Sequence, residues 1–306
     1  MKASTKIMMK KHGWRYDRFI HNYIYFKFYH PYVKFVYYLF KFLSQYLFWF
    51  KPINGVLSMA LARYHSKVLS YGDTKKIFTL NENISAISAE NKKIVPFKYA
   101  YKILFMEPEH IAVMDCPCKV ALGDRDENIL SCLAVGKGLS SFWLEHGKKY
   151  NARQISQKDA LALIEKFRKM GYLTQAFFKV ATGGSTGVIC NCHPDTCVSL
   201  QATKFAKKFD RKFTMNAAAG YSVEFAEKKC KWHGTCQEVC PVGAIKVDKT
   251  SKNWTYDKDA CIGCELCVEN CPNGAIRLYA DPEKSMPLDL DLIRERARKS
   301  ADALRN

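Results

Sequence analysis

An α+β fold is predicted by three features of this 306-residue chain. The N-terminal segment is lysine-rich and aromatic, with helical periodicity. A capped helix in the middle runs into two short strands. Near the C-terminus a cysteine motif occurs twice, 31 residues apart, the mark of paired half-units too small to bury a core singly. Hydrophobic residues make up 48% of the chain, enough for a substantial core. Thirteen cysteines would suggest disulfides in a secreted protein, but seven of them carry metal-ligand spacing. Thiols kept free for metal point to a reducing cytoplasm. The chain divides into 1–51, a basic aromatic amphipathic helical segment; 52–93, helical or linker; 94–220, a cysteine-bearing α+β domain; 221–281, the repeated motif; and 282–306, a helical tail.

In residues 1–51, ten lysines and arginines face one acid, Asp17, nearly half of the chain's net charge of +19. A helix is expected over 32–50, with Pro31 in its first turn. Lys34, Tyr38, Lys41 and Gln45 line a narrow polar side, with Tyr37 and Ser44 beside them. The wide apolar arc carries Val33, Phe35, Val36, Leu39, Phe40, Phe42, Leu43, Leu47, Trp49 and Phe50. Such a helix spans a membrane, lies on its surface or packs on the protein's own core. Spanning would bury Lys34 and Lys41 at depth. An anionic membrane surface suits snorkelling lysines and interfacial aromatics better, with Lys34, Lys41, Trp49 and Phe50 as contacts. The expected location is therefore cytoplasmic and peripheral, at the inner face of the membrane. Nucleic acid is not the expected partner of so aromatic a stretch.

Asn54-Gly55 and Tyr71-Gly72-Asp73 read as turns, and Asn81–Asn91 as a polar linker. Ile111–Met114 is a strand-like apolar run that delivers Cys116-Pro117-Cys118. Ser156 and Asp159 form a capping-box-like start, and Ala160, Leu163, Ile164, Phe167 and Met170 a helical stripe ended by Gly171. Tyr172–Ala181 and Gly187–Cys190 flank a glycine-rich turn as a β-hairpin. This helix and hairpin resemble the last helix and wing of a winged-helix domain. The return strand leads into Cys190-Asn191-Cys192 and on to Cys197.

Cys116, Cys118, Cys132, Cys190, Cys192 and Cys197 thus stand apart from the repeat as an extra metal site. It would hold an iron–sulfur cluster or zinc; inert buried thiols are the alternative. Convergence needs a sharp turn at both Pro117 and Asn191. Cys132 is the weakest member, because Ile129–Val135 looks equally like core.

The repeat reads Cys230-x-x-His233-x-x-Cys236-x-x-x-Cys240-Pro241, then Cys261-x-x-Cys264-x-x-Cys267-x-x-x-Cys271-Pro272. The second copy has [4Fe–4S] spacing. Gly243, Ala244 and Ile245 recur as Gly274, Ala275 and Ile276. The segment resembles the bacterial two-cluster ferredoxin domain over 221–281. That resemblance implies crossed ligand sets: Cys240, Cys261, Cys264 and Cys267 for one [4Fe–4S] cluster, and Cys230, Cys236 and Cys271 with His233 for the other. His233 either ligates iron, leaves a three-iron cluster, or marks loss of that cluster. Over 94–297 the chain also resembles a family of anaerobe proteins that join a cysteine-rich domain to such a C-terminal unit. His193, Asp195 and Thr196 stand where that family's run carries further cysteines. The resemblance implies redox work with redox partner proteins in an anaerobic host.

The expected function is single-electron transfer at a membrane surface, by a carrier or subunit rather than a stand-alone enzyme. One rival is a redox-responsive DNA-binding regulator using Lys158, Lys166, Arg168 and Lys169; another is an oxidoreductase with its active site at the upstream cysteines. No nucleotide cofactor is expected, since Gly183–Gly187 sits within a hairpin and no dinucleotide or flavin signature is present.

Overall fold

The computed structural model describes residues 5–6, 9, 13–14, 16–46, 55, 64–87, 89–97, 102–123, 129–179, 186–206 and 214–303. Helices α1 (Tyr16–Lys27) and α2 (Tyr29–Tyr46) precede β1 (Tyr64–Leu69), α3 (Tyr71–Phe78), β2 (Ile84–Ile87) and β3 (Lys102–Phe105). Next come β4 (Ile111–Met114), α4 (Pro117–Ala121), β5 (Cys132–Val135), α5 (Lys137–His146) and β6 (Arg153–Ile155). They are followed by α6 (Gln157–Lys169), β7 (Leu173–Lys179), β8 (Val188–Cys192), α7 (Val198–Ala206) and β9 (Asn216–Ala217). The repeat supplies β10 (Tyr221–Phe225), α8 (Thr235–Glu238), β11 (Ile245–Asp248), β12 (Asn253–Tyr256), α9 (Leu266–Glu269) and β13 (Ile276–Ala280), and α10 (Leu290–Ala303) closes the chain.

A seven-stranded sheet in the order β6-β4-β5-β8-β7-β1-β9 organises the molecule. Its pairs are antiparallel apart from β1 with β9. Side chains alternate across a strand, and here both faces are buried. Ala112, Met114, Cys132, Ala134, Val188, Cys190, Cys192, Leu173 and Phe177 point to one core. Ile111, Val113, Leu133, Val135, Ile189, Ala176 and Phe178 point to the other. The second core is covered by α3, α6 and the C-terminal Leu288, Leu290 and Ile293. Each fully buried Leu, Ile or Phe contributes roughly 1.5–3 kcal/mol. The cysteine-bearing face is covered by α5, by Tyr25, Tyr29 and Val33 of the N-terminal helices, and by Cys264 and Leu266 of the repeat.

Several expectations are corrected by this arrangement. Residues 52–93 were expected to be helical or linker, yet β1 lies inside the main sheet, between β7 and β9. Its sequence Tyr-His-Ser-Lys-Val-Leu lacks apolar alternation because its buried polar side chains are paired: Ser66 Oγ donates to Gln175 Oε1 at 2.6 Å. Tyr71-Gly72-Asp73 is no turn but the first turn of α3, capped by Ser70, whose Oγ accepts from Asp73 N–H. Asn81–Asn91 contains β2, paired with β3. The box at Ser156 and Asp159 caps α6 as read. The hairpin strands β7 and β8 pair as expected, while 180–185, its turn, lie outside the described residues. The pair is interior to the sheet, so it is no free wing.

The N-terminal helix begins at Tyr29, and it divides its apolar arc. Tyr29, Val33 and Phe40 turn inward, and Tyr37, read as polar-side, packs with Phe40 against Phe205. Phe35, Val36, Tyr38, Leu39, Phe42 and Tyr46 remain exposed, Phe35 at 65%. Trp49 and Phe50 lie outside the described residues. Among the described residues no helix is long and apolar enough to cross a membrane.

Lys67 of β1 is fully buried, and its Nζ donates to Ala218 O at 2.5 Å, Met286 O at 2.7 Å and Ser285 Oγ at 3.0 Å. It ties the C-terminal stretch to the sheet. Burial lowers its pKa to about 7. Lys67→Met takes the lysine donor from the Met286 carbonyl, while Ala218 O keeps Ser285 Oγ, and should cost about 1–3 kcal/mol, read as a lower Tm under anaerobic conditions. The unfolded lysine keeps its proton to about 10.5, so between these values the unfolded chain binds more protons. Wild type should therefore gain stability relative to the variant as pH rises from about 7 toward 10.

Candidate metal centres

The two cysteine motifs fold as superimposable half-units offset by 31 residues. Positive φ recurs at Trp232 (59°) and Gly263 (67°), and at Gly234 (83°) and Glu265 (70°). Left-handed backbone at these points turns the loop so that successive thiols face inward. A Cβ at Gly263 would collide with the Tyr221 carbonyl, so this copy requires glycine there. Trp232 tolerates the same conformation and packs edge-on against Phe225. The halves also exchange equivalent bonds, Ala226 N–H to Ala275 O and Asp257 N–H to Ala244 O, both 2.8 Å. That exchange is the signature of a pseudo-twofold axis.

Each half aims backbone amides at its sulfurs. Trp232 N–H donates to Cys230 Sγ at 3.3 Å and Gly263 N–H to Cys261 Sγ at 3.4 Å. Ala244 N–H donates to Cys240 Sγ at 3.2 Å and Ala275 N–H to Cys271 Sγ at 3.3 Å. The chain crossing brings Cys240 to Cys261, Cys264 and Cys267, and Cys271 to Cys230 and Cys236. Burial raises the Cys264 thiol to about 12 and that of Cys267 further. These thiols stay protonated until a cation displaces the protons. His233 is exposed, whereas its counterpart Cys264 is buried. Among the described residues no three of these thiols lie within 4.8 Å of one another. Two convergent sets, with amides already donating to sulfur, fit two iron–sulfur clusters.

The repeat is fastened to the sheet by Arg168 of α6, which is 1% exposed. Its Nε donates to Glu269 Oε1 at 2.8 Å and Oε2 at 2.9 Å, and Nη2 also bonds Glu269. Nη2 reaches Cys264 O at 2.6 Å, and Nη1 reaches Thr174 Oγ1 at 3.2 Å. Glu265 Oε2 accepts from Tyr71 N–H at 2.7 Å, and Tyr221 Oη donates to Asp73 Oδ1 at 3.2 Å. Arg168 was read from sequence as a surface cation available to DNA. It is instead committed to the repeat, being one turn beyond Ile164 on the buried stripe. That position was the signal available in sequence.

All six upstream cysteines line one cavity with Tyr29, Pro117, Lys119, Phe177, Asn191, His193 and Thr196. Cys116 caps α4 and Cys118 lies in its first turn, so the turn expected at Pro117 is present. No turn occurs at Asn191: Cys190 and Cys192 sit two apart in β8 and so share a face. Cys132, opposite Cys190 in the register, is at once core and site, its Sγ 3.0 Å from Cys190 Sγ. The thiols form a ring. Cys132 touches Cys116, Cys116 touches Cys118, Cys118 touches Cys197, and Cys197 touches Cys192, which lies beside Cys190.

Electrostatics in the ring are uneven. Hydrogen bonds from Cys118 and Cys132, aided by Lys119, hold Cys116 well below the usual thiol range. Hydrogen bonds to Cys116 and to the next thiol of the ring, together with burial, raise Cys118 and Cys132. Tyr29 seals the cavity from α2, and burial lifts its phenol well above the ordinary range. Lys119, 1% exposed, stands over the rings of Phe167 and Tyr172 at 4.6 and 4.3 Å. Neither Lys119 nor Thr174 carried a signal in sequence, because their roles arise only from what packs around them.

A family profile described as a 4Fe-4S dicluster domain matches residues 228–275. Hydrogenase-2 operon protein HybA of Escherichia coli O157:H7 is 49% identical over 37 residues, 12% of this chain and 11% of its own. Protein NrfC of Escherichia coli K12 is 38% identical over 50 residues, 16% of this chain and 22% of its own. A ferredoxin of Methanocaldococcus jannaschii is 37% identical over 51 residues, 16% of this chain and 66% of its own. The chain thus spans about a tenth of the first of these relatives and under two thirds of the others. The C-terminal unit is a 4Fe-4S dicluster domain of ferredoxin type.

Glu269→Ala would leave the Arg168 guanidinium buried without its counter-charge, an effect of about 3–5 kcal/mol. Thermal unfolding under anaerobic conditions should show a lowered Tm. An unchanged Tm would mean that the pair does not fasten the domain.

Proposed function

We propose that this chain passes single electrons through its dicluster domain toward a metal group at the six upstream cysteines, beside a membrane surface. One observation carries the reading: Cys264 of the dicluster domain lies in the same buried core as all the upstream cysteines except half-buried Cys118, which packs against it. A domain for electron transfer therefore shares a buried core, through Cys264 of its complete cysteine set, with the second set of thiols.

Cys240, Cys261, Cys264 and Cys267 hold one [4Fe–4S] cluster in this proposal. Cys230, Cys236 and Cys271 hold the second, as a three-iron cluster or with His233 as the fourth ligand. Such a cluster supplies a site that takes up or releases one electron. The chain sets the potentials: the amides of Trp232, Ala244, Gly263 and Ala275 stabilise negative charge on sulfur. Exposed His233 marks the end at which a redox partner protein exchanges electrons, and buried Cys264 the inward end. The upstream thiols take iron–sulfur or zinc.

The His233 position gives the two sites different potentials in wild type. Redox titration followed by electron paramagnetic resonance should resolve two midpoints, and His233→Cys should bring them together. Two equal low potentials in wild type would refute the asymmetry.

The membrane reading rests on the exposed outer face of α2, where Phe35, Leu39 and Phe42 lie beside Lys34. Aromatic side chains would enter the headgroup region while lysine meets anionic lipid. Location at the inner face of the membrane follows from this pairing. The double variant Phe35→Glu, Phe42→Glu spares inward-facing Tyr29, Val33 and Phe40. It should lose most of its co-sedimentation with anionic vesicles; equal sedimentation would exclude this face.

A further inference from the structure

We propose that the ring of six thiols holds a polynuclear iron–sulfur cluster, and that Arg168, Thr174 and Asn191 link it to the dicluster domain at Cys264. This rests on the reading that the dicluster domain carries its own clusters. A single zinc ion takes four ligands, and Zn–S bonds of about 2.3 Å in a tetrahedron put sulfurs about 3.8 Å apart. Six cysteines exceed that number. Among the described residues no three thiols lie within 4.8 Å of one another, although neighbouring members of the ring touch. The six thiols are therefore spread around the cavity rather than gathered in a group of three or four as one tetrahedral ion would hold them.

A second observation concerns a polar atom. Thr196 Oγ1 lies buried in the cavity lining and has no hydrogen-bond partner among the described residues. A buried hydroxyl donor left unmade costs about 1–3 kcal/mol, so a native site is expected to supply an acceptor. Sulfides and thiolates of a cluster are such acceptors. The cavity's cationic side chain, Lys119, and the dry walls formed by Phe177 and Tyr29 suit a group of net negative charge.

The link is continuous. Cys264 O accepts from Arg168 Nη2 at 2.6 Å, and Arg168 Nη1 donates to Thr174 Oγ1 at 3.2 Å. Thr174 Oγ1 in turn donates to Asn191 Oδ1 at 3.3 Å. Asn191 stands between Cys190 and Cys192, and Thr174 faces it across the β7–β8 register. All three side chains are buried, so no water interrupts the path. Along it one electron would pass from the group that Cys264 holds to the group that the ring holds, with no bond made or broken. A reduced redox partner protein replaces it through the dicluster domain.

The full chain, purified anaerobically, tests both halves. Iron, acid-labile sulfide and zinc are counted in wild type and in the double variant Cys132→Ser, Cys190→Ser. The variant should lose about four irons with the matching sulfide while the dicluster resonances persist. One zinc per chain, or no iron lost, would overturn the ring's cluster. Loss of the dicluster resonances from wild type itself would instead sink the underlying reading. Thr174→Val, near-isosteric, should keep all its iron yet slow by several-fold the arrival of an electron at the ring, followed by freeze-quench resonance after a limiting one-electron reductant. An unchanged rate at full iron content would overturn the link.

Discussion

The buried guanidinium of Arg168 is the constraint on which the rest of the arrangement depends. A full charge that is 1% exposed demands compensation, and its fork of donors satisfies that demand from both sides of an interface. Glu269 supplies the counter-charge and Cys264 a carbonyl, both from the dicluster domain, while Thr174 accepts from within the sheet. An ion pair this buried adds little net stability compared with apolar packing. Its effect is orientation: only one seating of the domain on the sheet satisfies every donor. Cys264 is thereby held against the wall that carries the upstream thiols.

That wall follows from strand alternation. β5 and β8 are buried on both faces, so every second residue faces the dicluster side. Cys132, Cys190 and Cys192 occupy such positions, and the start of α4 brings Cys116 and Cys118 over the strand ends. Cys197, just before α7, completes the ring. A sheet wet on one side could not do this, since thiols on that face would meet water. Covering by α2 and by the dicluster domain keeps the site dry and raises what any charge within it costs.

The N-terminal helices serve two surfaces at once. Tyr29, Val33 and Phe40 pack inward at helical spacing, and Tyr29 closes the cysteine cavity. The opposite face retains Phe35, Phe42 and Tyr46 in solvent. Periodicity shows that a helix is amphipathic; it does not show which part of a wide apolar arc meets protein. Here the arc is shared, and the inward share is decided by the partners Phe205 and Tyr150.

The sequence by itself determined the dicluster domain, because cluster ligation is local chemistry. Each loop must present thiols at set intervals, and the spacing, the prolines and the left-handed positions recur within 31 residues. It also determined α6 with its cap and the strands β4, β7 and β8, whose patterns are short-range. It did not disclose β1, which falls in the stretch read as helical or linker, because buried Ser66 and Lys67 depend on the distant partners Gln175, Ala218 and Met286. Only the tertiary structure decided that six scattered cysteines close into one ring, and that Arg168 faces inward. Those facts depend on contacts between residues far apart in the chain, which composition and periodicity cannot encode. The repeated motif thus announced where clusters sit, while long-range packing decided what they face.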